Sequence, residues 1–148
     1  MQETERRSFF RTSFFYASCV FVAPSGLAQD GPSGVSGYDY RFILDASRKA
    51  NPKLKIILLD PFVLPTGKLL EETAWKRWNG ECTKLRAIVK RLASDYQAAH
   101  LRTQEVFDTA CEHTEPSHWI WDGVHPLPQG HELIARSWIE TVHQQFKD

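Results

Sequence analysis

Trp119-Ile120-Trp121-Asp122-Gly123-Val124-His125-Pro126-Leu127-Pro128-Gln129-Gly130-His131-Glu132-Leu133-Ile134 lies near the C-terminal end of the chain. Asp122 and His125 stand three residues apart in a Gly- and Pro-rich segment, and an amphipathic stretch follows at once. Pro126 and Pro128 prevent a regular helix from running through the pair, so Asp122 and His125 belong to a loop that the next helix supports. An imidazole beside a carboxylate is the base half of a nucleophilic triad. The carboxylate fixes the tautomer and stabilises the imidazolium, while the other ring nitrogen takes a proton from the nucleophile. The supporting helix is predicted from Gln129 or Gly130 to about Phe146, with Leu133, Ile134, Trp138, Val142 and Phe146 at helical spacing.

Asp-Gly-Val-His-Pro followed by Gly-His-x-x-Ile-Ala resembles the last conserved block of the SGNH (GDSL-type) hydrolases. The resemblance extends upstream through Phe42-Ile43-Leu44-Asp45-Ala46-Ser47-Arg48-Lys49-Ala50-Asn51-Pro52 and Lys55-Ile56-Ile57-Leu58-Leu59-Asp60-Pro61-Phe62. It implies a flavodoxin-like three-layer α/β/α fold, here incomplete, with residues 38–148 as the C-terminal part of an esterase domain. It also implies acyl ester hydrolysis of the Ser-His-Asp type, with His125 as general base and Asp122 orienting it. A small-molecule acyl ester is the expected substrate, with no metal or organic cofactor.

Working back from that block, a helix is predicted from Tyr38 to Ala50, stopped by Asn51-Pro52. Leu54 to Leu59 is an apolar run too short for an ordinary helix and reads as a buried parallel strand. Asp60 opens the loop after it. Ligands bind at that end of the strands in open α/β sheets, but an Asp before Pro is also a common turn opener. A helical segment follows, with Trp75 and Trp78 early, read as packing residues, and Leu85, Ile88, Val89, Leu92 and Tyr96 later as a core-facing stripe. Strand 54–59, helix Cys82–Tyr96 and strand Ala98–Leu101 make one βαβ unit. Gln104 to Cys111 reads as a short helix.

The chain has 148 residues, which suits one small domain, with Lys+Arg and Asp+Glu balanced at 18 each. No basic block stands out, which argues against nucleic acid or an anionic membrane as the main partner. Cys19, Cys82 and Cys111 form neither a disulfide framework nor a zinc spacing and read as buried or incidental thiols. His113, His118, His125 and His131 crowd into nineteen residues beside Glu112, Glu115 and Asp122. They match no standard zinc pattern. His113 reads as a solvated loop residue and His131 as a local packing or capping group.

Residues 1–28 read as a secretory signal. Glu5-Arg6-Arg7-Ser8-Phe9-Phe10-Arg11 precedes an apolar run from Phe14 to Ala23, and Gly26-Leu27-Ala28 follows. That run is shorter than the roughly 20 residues that span a bilayer. The expectation is export to the periplasm or beyond, or a cytoplasmic location if the segment has another role. The rival reading makes Cys19-Val20-Phe21-Val22 a buried strand and Ser25 the nucleophile at its end. Residues 29–37 read as a flexible linker.

The family's oxyanion donors come from the Ser backbone, a Gly and an Asn of a Gly-x-Asn-Asp block. This chain contains neither Gly-Asp-Ser nor Gly-x-Asn-Asp. An oxyanion donor is worth on the order of 3 kcal/mol, and loss of the nucleophile costs more. Three readings therefore stand open. The chain is an esterase, alone or with a partner chain that supplies missing strands. It is a non-catalytic remnant serving as a binding module. Or it is a metal-assisted hydrolase using His125, His131 and Asp122.

Overall fold

A computed structural model describes residues 17–18 and 37–147. The elements run β1 (Ala17–Ser18), α1 (Gly37–Ala50), β2 (Ile56–Leu59), a 3-10 turn (Gly67–Leu69), α2 (Glu72–Asp95), β3 (Ala99–Leu101), α3 (Thr103–Cys111), α4 (Pro116–Trp119) and α5 (Pro128–Gln145). The sheet has the order β1-β2-β3 with both pairings parallel. Ala17 stands opposite Ile56, and Leu58 opposite His100. Parallel neighbours require a crossover, and α2 supplies the one between β2 and β3.

The strands are short and buried on both faces, so they carry continuous apolar runs rather than alternation. Ile56 and Leu58 enter a cluster with Leu44 of α1, Val89, Leu92 and Ala93 of α2, and Leu54 and Ala98. Ile57, Ala99 and Leu101 are equally buried and, by the strand's two-residue period, face the other way. On that side α5 lies along β3 and α3. Phe107, Ile120 and Leu64 fill a second cluster there, joined by Leu133 and Ile134 of α5. The result is a three-layer α/β/α arrangement around a small parallel sheet.

The helix ends follow from their residues. Asn51 ends α1, and Arg48 of its last turn donates to the carbonyls of Leu54 (2.6 Å) and Tyr96 (2.9 Å), tying α1 to the entry of β2. Glu71 caps α2 by accepting from the backbone N–H groups of Thr73 (2.9 Å) and Ala74 (2.8 Å). Those two donors hold its carboxyl below the usual carboxylate range. Pro128 opens α5 at a position where a missing N–H costs nothing.

Helix α2 begins at Glu72 and so includes the expected helical segment with Trp75 and Trp78 early, although it starts ten residues before the Cys82 bound given to the crossover helix. Trp75 and Trp78 lie on it and pack, as expected, on a third cluster of Val63, Leu69 and Cys82. Gly80 interrupts the sequence pattern, yet it sits on the exposed side with open space around it. The short α4 was not anticipated. Ser25, Cys19 and the linker reading fall outside the described residues. So does the export-signal segment, apart from β1, whose backbone pairs with β2. Among the described residues no helix is long and apolar enough to cross a membrane.

Candidate functional site

The loop between α4 and α5 is closed by its own backbone. The Leu127 N–H donates to the Trp119 carbonyl (2.8 Å), the Trp121 N–H to the His125 carbonyl (3.3 Å), and Ile120 bridges to Pro126. Within it one Asp122 oxygen accepts from the backbone N–H groups of Val124 (3.1 Å) and His125 (2.9 Å). The other lies 2.7 Å from His125 Nδ1. The three-residue spacing thus has a physical reason. A carboxylate that caps the turn with one oxygen has its second oxygen aimed at the ring three residues on.

The two partners meet solvent very differently. The Asp122 side chain is 9% exposed and that of His125 67%. Burial alone raises the Asp122 carboxyl, but the hydrogen bonds from the His125 ring and from the His125 and Val124 backbone outweigh it. Asp122 is therefore held below its ordinary range and is ionised at neutral pH. An ionised partner requires a proton on Nδ1, which leaves Nε2 of the neutral ring as the acceptor. No hydroxyl among the described residues occupies that acceptor, so the group is free to take a proton from an incoming one.

The loop rests on the segment that follows β2. The Leu64 N–H donates to the Gly123 carbonyl (3.0 Å). Gly67, at φ 55°, lies so close that a Cβ there would come within 2.5 Å of the Asp122 Cα. Gly123, at φ 102°, leaves no more room, since a Cβ would meet Leu69 Cγ at 2.6 Å. Both positions need glycine on two counts, backbone conformation and space. Behind them Gln104 clamps Val63, accepting its N–H (3.0 Å) and donating to its carbonyl (3.1 Å). Arg86 of α2 in turn donates to the same Gln104 oxygen (3.0 Å). A buried amide thus links α2 and α3 to the support of the Asp122 loop.

Asp60 does more than open a turn. It is buried, its N–H donates to the Leu101 carbonyl (3.0 Å), and Oδ1 lies 2.7 Å from His100 Nε2. His100 had no signal in the sequence, because forty residues separate it from Asp60 and only the sheet register joins them. The two line a cleft of about 350 Å³ with Arg86, Lys90, Arg102 and Gln104. Neither belongs to the Asp122 loop.

The remaining histidines are dispersed. His113, His118 and His131 are exposed, and no group of three or more His, Cys, Asp or Glu among the described residues is disposed to hold a metal ion. His131 is exposed, and its backbone N–H donates to the Leu127 carbonyl (2.9 Å) in the first turn of α5. Burial pushes the thiols of Cys82 and Cys111 up, so both stay protonated at neutral pH.

The chain is similar in sequence and fold to known proteins. An acetylxylan esterase from Geobacillus stearothermophilus is 26% identical over 87 residues, which are 59% of this chain and 37% of that protein. A solved structure described as a GDSL-like lipase, from Parabacteroides merdae, superposes with a TM-score of 0.65 at 28% identity, covering 71% of this chain and 47% of its own. The Geobacillus acetylxylan esterase Axe2 superposes with a TM-score of 0.55 at 23% identity, covering 73% of this chain and 48% of its own. The chain thus spans about half the length, or less, of the relatives it matches. The profile for GDSL-like lipase/acylhydrolase matches residues 39–138, which include the strands β2 and β3, Asp122 and His125. The chain belongs to the GDSL-like lipase/acylhydrolase family, whose SGNH-type α/β architecture it shares over that span.

Proposed function

We propose that this chain carries the acid–base half of a serine-type acyl esterase centre. His125 is the general base and then the general acid, and Asp122 is its orienting carboxylate. The observation that supports this is the 2.7 Å contact of His125 Nδ1 with a buried, ionised Asp122 on a ring that is otherwise exposed. In the reaction His125 Nε2 takes the proton of a seryl hydroxyl as it attacks the ester carbonyl. The same nitrogen then returns the proton to the departing alkoxide. Asp122 stabilises the imidazolium formed between the two steps. Short acyl esters of carbohydrates are the substrate class that the acetylxylan esterase likeness favours. The nucleophile and oxyanion donors lie, in this reading, outside the described residues, with Ser25 the first position to examine. Export, read from residues 1–28, is the rival of the Ser25 assignment, because removal of that segment takes Ser25 with it.

The test is fluorophosphonate labelling of the purified chain, with the modified residue located by mass spectrometry and ester hydrolysis followed in parallel. A stoichiometric adduct on one Ser, lost together with hydrolysis in His125→Ala, is the outcome for a complete triad. Labelling or hydrolysis that is indifferent to His125→Ala overturns the assignment. The missing Gly-Asp-Ser and Gly-x-Asn-Asp blocks favour a second reading, a binding module that keeps the base loop without turnover. A folded chain with neither adduct nor hydrolysis is its signature.

A further inference from the structure

Trp121 precedes Asp122 directly and is 57% exposed, whereas the other four tryptophans of the chain are partly buried. Its neighbours on either side, Ile120 at 0% and Asp122 at 9%, are anchored in the interior. Its own N–H is bonded to the His125 carbonyl, and Gly67 packs against its carbonyl oxygen. The indole therefore projects from a backbone held on both sides by the closed loop. Its ring centroid lies 6.1 Å from that of His125, with the planes inclined by 24°. The two rings form a nearly parallel, offset shelf.

We propose that Trp121 is a carbohydrate platform that seats the alcohol part of the substrate beside His125. The proposal rests on the esterase reading above and adds to it where the alcohol lies and what chemistry recognises it. A base that returns its proton to the leaving alkoxide must face the alcohol side of the ester, so a group lying along its ring contacts the alcohol rather than the acyl chain. A flat apolar indole suits the C–H face of a pyranose ring, whose hydroxyl edges stay in water. A rigid aromatic also adds contact area at little conformational cost.

The experiment titrates the full-length chain with an O-acetylated methyl xylopyranoside by calorimetry and compares variants. It needs no nucleophile. Trp121→Ala is expected to weaken binding by roughly tenfold or more, and Trp121→Phe to hold it within about threefold of wild type. Phe42→Ala removes a still more exposed aromatic on α1 and leaves the affinity unchanged. No saturable binding to the wild type, or equal binding by Trp121→Ala, overturns the proposal. Hydrolysis that depends on His125 but not on Trp121 sinks the platform and spares the esterase. Trp121-dependent binding without His125-dependent hydrolysis does the reverse.

Discussion

Two Asp–His pairs of equal length occupy this small domain, and they meet solvent in opposite ways. Asp60 and His100 meet at 2.7 Å with side chains 7% and 17% exposed, and together lock the end of β2 to β3. Asp122 and His125 also meet at 2.7 Å, yet the histidine is 67% exposed and its second nitrogen is open. A short contact between carboxylate and imidazole is thus no mark of a base by itself. Access to the far ring nitrogen makes the difference. Access in turn depends on where the His backbone sits, mid-strand under α2 for His100 and at the rim of a Gly/Pro loop for His125.

That contrast can be broken from either end. His100→Ala strands a buried carboxylate and is expected to cost about 3 kcal/mol of stability in urea unfolding. The double change Asp60→Ala with His100→Leu should recover much of it, and no recovery would mean that the pair is not what holds the strands. Gly67→Ala is expected to cost about 2 kcal/mol, since it places a Cβ at positive φ against the Asp122 backbone. It should also shift the His125 ring resonances, which an isolated backbone strain would leave in place.

Asp122→Asn is expected to cost on the order of 1 kcal/mol at neutral pH. A carboxyl with a lowered folded pKa stabilises the fold above its unfolded value, and that contribution fades as pH falls through the folded value. The wild-type advantage over Asp122→Asn should accordingly shrink as pH drops below the ordinary value of 3.8, and a constant difference down to pH 2 would contradict the hydrogen-bonding account. His125→Ala should be the mildest, within about 0.5 kcal/mol of wild type, because the ring is a solvent-facing group on a loop closed by other bonds.

What could be read from residues alone follows the same division. The Asp122–His125 pair was legible because a turn of four residues sets its geometry, and Gly123, Pro126 and Pro128 announce that turn. Helix α1 and the strands β2 and β3 were placed to within about two residues, since Asn51-Pro52 and the apolar run to Leu59 bound them locally, whereas β1 falls in a stretch read as an export signal. The first turn of α2 was less sharply legible: Trp75 and Trp78 marked a helical segment there, but its cap is Glu71, which is not among the usual capping residues. Asp60–His100 and the Gln104 clamp were hidden for a different reason. Each depends on strand register or crossover packing across forty residues or so, which no local pattern encodes.

The bonds that close the base loop join residues only between Trp119 and Leu127, and the contacts with Leu64 and Gly67 steady it from outside. So short a circuit costs little chain entropy to close, and its members do structural work whether or not chemistry occurs. Decay in such a protein is therefore lopsided. A lineage can lose its seryl nucleophile, or the solvent-facing His125 ring, at little cost to folding, while drift at Asp122, Gly67 and Gly123 is checked by the need to fold. The Asp122 turn is accordingly a durable relic as much as a sign of turnover, and the proof of catalysis has to come from the serine and the His125 ring.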